Sequence, residues 1–146
     1  MKTISKTLGV LLLVSVMLAS CNASASGDNF SFSARVMSNE LKSGMPFKIE
    51  ITTENISGED YLYRGSSRIV GALPYLVGEV DGEKITVLPT AVPITNDYRE
   101  TAIKAGEKIV FTWEFGEYEA ISSGEYDLHL EFEGEKQVIE DFIRVR

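Results

Sequence analysis

The chain of 146 residues has one cysteine, one histidine and four prolines, and the first two scarcities each remove a class of chemistry. One cysteine cannot build an intrachain disulfide framework or a Cys-based zinc site, and one histidine cannot supply a multi-histidine metal centre. Cations are also few: 14 Lys and Arg stand against 22 Asp and Glu, a formal net charge of −8. Nucleic-acid binding draws on clustered cations, so no nucleic-acid partner is expected. No Gly-x-Ser-x-Gly elbow and no Asp-x-Asp-x-Asp-Gly calcium loop occurs, and no cofactor or bound metal is expected. Long amphipathic helical patterns are missing, which argues against the crossovers of a parallel α/β fold. What remains, with 44% hydrophobic and 25% charged residues, has the composition of one ordinary globular domain.

Lys2 and Lys6 precede an uncharged stretch at 8–19 that is rich in Leu and Val, the pattern of a signal peptide. A helix of about twelve residues spans about 18 Å, short of the roughly 30 Å hydrocarbon core, so a membrane-spanning segment is the weaker reading. The stretch ends in Leu18-Ala19-Ser20-Cys21. This resembles the lipobox of bacterial lipoproteins, with Leu at −3 and two small residues before the cysteine. The resemblance implies removal of residues 1–20, a diacylglycerol on the Cys21 thiol and acylation of the new amino group. Two acyl chains hold a protein on a membrane where one is marginal. A membrane-anchored protein on the extracytoplasmic side follows, and the alternative is a plain free thiol at Cys21. Without Lys2 and Lys6, 12 basic residues remain against 22 acidic ones, a net charge of −10. Residues 21–29 are small and polar and read as a flexible tether with a reach of about 25 Å. The folded domain is expected at 30–146.

From Phe30 onward the pattern is strands. Phe30, Phe32, Ala34 and Val36 alternate with Ser31, Ser33 and Arg35, and Phe47, Ile49, Ile51 and Thr53 repeat the period of two. Turn chemistry at 55–60 leads to a short strand at Tyr61-Leu62-Tyr63. A strand at 74–80, a hairpin turn at Asp81-Gly82 and a return at 84–88 follow. The segment 95–105 resists periodic assignment and reads as a long connection with one helical turn around 98–103. Ile109, Phe111, Trp113 and Phe115 predict a central core strand, and Tyr126, Leu128, Leu130 and Phe132 predict the inward face of the next. In 137–145 apolar residues fall on both faces, which predicts a bulge or a doubly covered strand. Seven to eight short strands at this spacing predict an all-β, Ig-like antiparallel β-sandwich.

Ser122-Ser123-Gly124-Glu125-Tyr126 resembles the tyrosine corner of immunoglobulin-like domains, with Trp113 as a core residue. Asn55-x-Ser57, the run Lys104-Ala105-Gly106-Glu107-Lys108 leading into Phe111-x-Trp113, and Gly124-x-Tyr126 together resemble the BsuPI-like intracellular proteinase inhibitor family. That resemblance implies an Ig-like sandwich and, as an alternative function, proteinase inhibition by a presented loop, either the Arg64 to Arg68 turn or the connection at 89–99.

Chemistry-bearing residues are sparse. His129 lies on an outward face between Asp127 and Glu131, where a solvated role is the plainer reading. A hydrolase would need it buried beside an activated serine. The nine carboxylates of 107–135 read as a solvated acidic face. The distinctive segment is Tyr61-Leu62-Tyr63-Arg64-Gly65-Ser66-Ser67-Arg68. Tyr and Arg are enriched at binding hot spots, and loops on rigid sandwiches carry recognition. Tyr61, Tyr63, Arg64 and Arg68 are therefore the candidate contacts to a protein partner. The plainer reading is that the tyrosines pack an edge strand and the arginines pair with carboxylates. The expected function is a lipid-anchored, non-catalytic binding or accessory module of the bacterial envelope.

Overall fold

The computed structural model describes residues 22–66, 70–90 and 98–146. The signal segment, Cys21 and Arg68 lie outside the described residues, as does most of the connection at 89–99. Among the described residues there are ten antiparallel strands: β1 (Asn22–Ser26), β2 (Phe30–Val36), β3 (Phe47–Asn55), β4 (Tyr61–Ser66), β5 (Leu73–Val80), β6 (Glu83–Val87), β7 (Tyr98–Ile103), β8 (Lys108–Phe115), β9 (Gly124–Phe132) and β10 (Glu135–Val145). They form one sheet in the order β1-β2-β3-β8, a second in the order β10-β9-β5-β6, and a separate ribbon β4-β7. The neighbours β2-β3-β8 and β5-β9-β10 correspond to the A-B-E and C-F-G groupings of an Ig-like sandwich.

The core lies between the two sheets because each strand turns its alternate large residues inward. Phe30 and Phe32 come from β2, Ile49 and Ile51 from β3, Trp113 and Phe115 from β8, Leu76 from β5, and Leu128 and Leu130 from β9, all buried. Phe30 and Phe132 meet across the gap between sheets, edge to face at 4.8 Å. The expected tyrosine corner is present: the Tyr126 hydroxyl donates to the Ser122 carbonyl at 2.8 Å, and burial pushes this phenol's pKa up. The Asp81-Gly82 and Glu133-Gly134 turns both carry two successive positive φ values, 54° and 81°, then 49° and 81°. That is the twist a two-residue hairpin requires. In β10 the register shifts between Ile139 and Ile143, with Asp141 at φ 48°, so the bulge lets Phe142 and Ile143 both reach the core.

Four expectations are corrected. The tether is a strand: Asn22 to Ser26 pair with Arg35 to Ser31, and Ala23 packs on the core. Its small residues alternate, with Ala23 and Ala25 half-buried and Asn22, Ser24 and Ser26 exposed. Such a strand lies flat along the sandwich edge beside β10. The turn after it is pinned, since Gly27 N donates to Phe30 O at 2.8 Å and Asn29 N donates to Glu135 Oε1 at 2.7 Å. The helical turn around 98–103 is β7, because pairing with β4 satisfies backbone groups that the sequence alone leaves open. The strand at 109–115 is an edge of its sheet and not a central strand, and Val110 is exposed there. Among the described residues the strand count rises from seven or eight to ten through β1 and β7, and β4 runs on to Ser66.

Candidate functional site

Asn55 sets the position of the ribbon. It ends β3 fully buried, and its Nδ2 donates to the carbonyls of Glu59, Ile103 and Lys104 at 2.7, 3.0 and 3.2 Å. Its Oδ1 accepts from Ser57 N at 3.0 Å and Ser57 Oγ at 2.7 Å. A short side chain with both donor and acceptor is what can tie a turn to the end of a distant strand. The Lys104 to Lys108 run closes the same knot: Gly106 N donates to Asn55 O at 2.8 Å and Asn55 N donates to Glu107 O at 3.0 Å. Asn55, Ser57 and the 104–108 run, one part of the pattern that resembles the inhibitor family, are thus scaffold at this end of the sandwich.

From this base the ribbon lies over the end of the core. The Tyr61 ring meets Phe30 edge to face at 5.1 Å, and its hydroxyl donates to Glu133 Oε2 at 2.7 Å. That bond, then burial and the charges of Glu133 and Glu135, push the Tyr61 pKa up to about 12. Tyr63 stacks on Phe132 at 5.6 Å, and burial foremost raises its pKa, followed by the charge of Glu133. The Tyr63 phenol also lies over Gly65, where an added Cβ would come within 2.6 Å of Tyr63 Cζ. A side chain at this position would have to displace the Tyr63 ring.

Of the four candidate contacts, the three among the described residues, Tyr61, Tyr63 and Arg64, are not brought together as one patch. Arg64, Gly65 and Ser66 are strand and not turn, so successive side chains point to opposite faces. Tyr61 and Tyr63 face the sandwich, whereas Leu62 and Arg64 face solvent. Arg64 Nε pairs with Glu100 Oε1 at 3.0 Å, its register partner on β7. The plainer expectations for Tyr61 and Arg64 are what the structure shows. His129 stacks on Tyr75 at 4.8 Å on the outer face of the second sheet. Among the described residues, no group of three or more His, Cys, Asp or Glu could hold a metal ion.

Sequence reasoning missed a groove between the ribbon and the second sheet, about 310 Å³ in volume. Tyr63, Gly71, Leu73 and Phe132 make its apolar lining, and Glu131 and Glu133 stand among its polar residues. Leu73 is 44% exposed there, a large apolar side chain at the mouth of an acidic concavity. The signal was faint: Leu73 stands at the first position of β5, opposite Glu131 of β9. Nothing local says that the ribbon would wall it in. The arrangement can seat an apolar side chain and can attract a cation placed next to it.

No family model matches this chain, and no curated protein matches it. Among solved structures it is similar to a β-glucosidase from Listeria innocua in complex with gluconolactone, at 20% identity and TM-score 0.43, covering 78% of this chain and 16% of that one. A mutant of the same enzyme in complex with laminaribiose gives 19% identity and TM-score 0.44, with 79% and 16% covered. The chain therefore spans about a sixth of the length of those structures.

Proposed function

We propose that this chain is an envelope lipoprotein, held on the extracytoplasmic side of a membrane by acyl chains at Cys21, whose β-sandwich is a non-catalytic module that binds a protein. The signal pattern and Leu18-Ala19-Ser20-Cys21 support the anchor. The groove supports the binding role: Tyr63, Leu73 and Phe132 offer an apolar seat, and Glu131 and Glu133 favour a partner segment with Lys or Arg beside its apolar side chain. The net charge of −10 left once residues 1–20 are removed steers the same kind of partner.

The test is crosslinking in cells followed by mass spectrometry, comparing the parent with Leu73→Glu and with Cys21→Ala. A protein captured by the parent and lost with Leu73→Glu supports the groove, and loss with Cys21→Ala shows that anchoring is needed. Capture unchanged by Leu73→Glu overturns the groove. Nanomolar inhibition of secreted proteases by the purified domain would favour the inhibitor function instead.

A further inference from the structure

We infer that the sandwich sits flush against the bilayer, with the end built from the 37–46 and 116–121 loops in the headgroup region and the Tyr63 groove pointing away from the membrane. This rests on the proposed lipidation of Cys21. The observation behind it is that β1 begins at the residue next to Cys21. Asn22, the residue after Cys21, is already paired with Arg35 in β1. A flexible tether of nine residues would give roughly 25 Å of slack, whereas one peptide link gives about 3.8 Å. Acyl chains on Cys21 therefore enter the bilayer beside Asn22, and whatever surrounds Asn22 meets the headgroups.

That end is defined by a chain of contacts. Arg35 opposite Asn22 is followed by Val36, which pairs with Ile49, and Met37 N donates to Lys48 O at 2.9 Å. Ser43 N donates to Arg146 O at 2.7 Å and Gly44 N to Ile121 O at 3.3 Å, so both loops and the last residue share this end. Gly116, at φ 82°, packs against the Met45 carbonyl, where an added Cβ would come within 3.4 Å. Three large side chains stand out here: Met37 at 49%, Met45 at 57% and Tyr118 at 81% exposure. Methionine adapts to irregular apolar surroundings, and tyrosine suits a boundary that is apolar on one side and wet on the other.

Charge does not carry the contact. Lys42 pairs with Glu40 at 3.0 Å and Lys48 faces Glu114 at 3.9 Å, while Arg146 is exposed at this end and the exposed Glu117 and Glu119 flank Tyr118, so the end offers anionic lipid no net cationic face. The Lys42 ammonium, by hydrogen bond and by charge, lowers the Glu40 pKa. Immersion of Met37, Met45 and Tyr118 is the attraction, and it needs no anionic lipid. The opposite end, with Phe30, Phe132 and the ribbon, lies a strand's length away, roughly 20 Å. The groove therefore faces a partner away from the lipid.

The native lipoprotein, purified from cells and reconstituted in phosphatidylcholine vesicles with brominated acyl chains, tests this. Tyr118→Trp and Leu62→Trp report on the two ends against the buried parent Trp113 as background. The added emission of Tyr118→Trp is expected to fall at least twofold relative to unbrominated vesicles, with Leu62→Trp unchanged. A six-residue Gly/Ser insertion between Cys21 and Asn22 is expected to restore the Tyr118→Trp emission. Adding phosphatidylglycerol is expected to leave both readings as they were. Equal emission from both reporters, in protein whose intact mass includes the diacylglyceryl group, overturns the orientation while the anchor stands. An intact mass without lipid overturns the anchor and the orientation with it.

Discussion

The hydroxyl of Tyr61 donates to Glu133 Oε2 at 2.7 Å, a bond that joins the ribbon to the β9–β10 hairpin. Only the protonated phenol can make it, and its pKa stands at about 12 against an ordinary 10. A raised folded-state pKa means that the bond contributes fully below pH 10 and is lost as pH rises from 10 through 12. Tyr61→Phe should cost under about 1 kcal/mol at pH 8, because the pair is partly solvated. That cost should shrink towards zero by pH 12 in urea denaturation. A difference between parent and variant that stays constant from pH 8 to 12 would show that no such linkage exists.

Asn55 supplies donors to three carbonyls and an acceptor to Ser57 while buried. Asn55→Ala should lower stability by about 2–4 kcal/mol, since it orphans several backbone groups at once. Asn55→Asp keeps the Ser57 contacts but turns an acceptor towards the carbonyls, and it should cost at least as much. Chemical denaturation reads both, and a loss below about 1 kcal/mol for Asn55→Ala would contradict the role given to this side chain.

Gly78 lies opposite Tyr126 on the neighbouring strand, and the ring covers it. An added Cβ would come within 2.6 Å of Tyr126 Cδ1 and 2.9 Å of the Glu125 carbonyl oxygen. Gly78→Ala should therefore cost about 1–3 kcal/mol, because part of the clash is with backbone. Tyr126→Phe should cost about 1 kcal/mol for the bond to Ser122. The double variant should cost less than the sum, since displacing the ring already weakens that bond. Strict additivity in thermal or urea unfolding would separate the two effects.

Glu135 Oε1 accepts from Asn29 N at the turn that returns β1 to β2. Glu135→Ala should free this turn, and hydrogen exchange of the β1 amides should speed up by about tenfold while β3 is unchanged. Exchange in β1 that matches the parent would mean that strand pairing alone holds it.

Much of the fold was legible because it is written in local period. Phe30-x-Phe32-x-Ala34 and Tyr126-x-Leu128-x-Leu130 can bury one face only as strands, and Asp81-Gly82 and Glu133-Gly134 supply the positive φ that hairpins need. The bulge in β10 was legible too, since its apolar residues change face. The ribbon was not. Tyr98 to Ile103 carries no alternation of its own, and only pairing with Tyr61 to Ser66 makes it a strand. The composition of 61–68 marked out Tyr61, Tyr63 and Arg64, yet it said nothing of their faces, and the strand period parts them.

The sequence by itself determined the sandwich, its hairpins, its tyrosine corner and the acidic surface, because each follows from side-chain period, turn chemistry or charge within a few residues. Tertiary structure decided what depends on residues far apart in the chain. Asn22 to Ser26 became a strand because Phe30 to Val36 offered an edge and the β9–β10 hairpin offered Glu135 to pin the turn. The groove exists because Asn55 ties the ribbon down where Tyr63 meets Phe132. Small polar residues have little preference of their own, so the partner that satisfies their backbone sets their conformation.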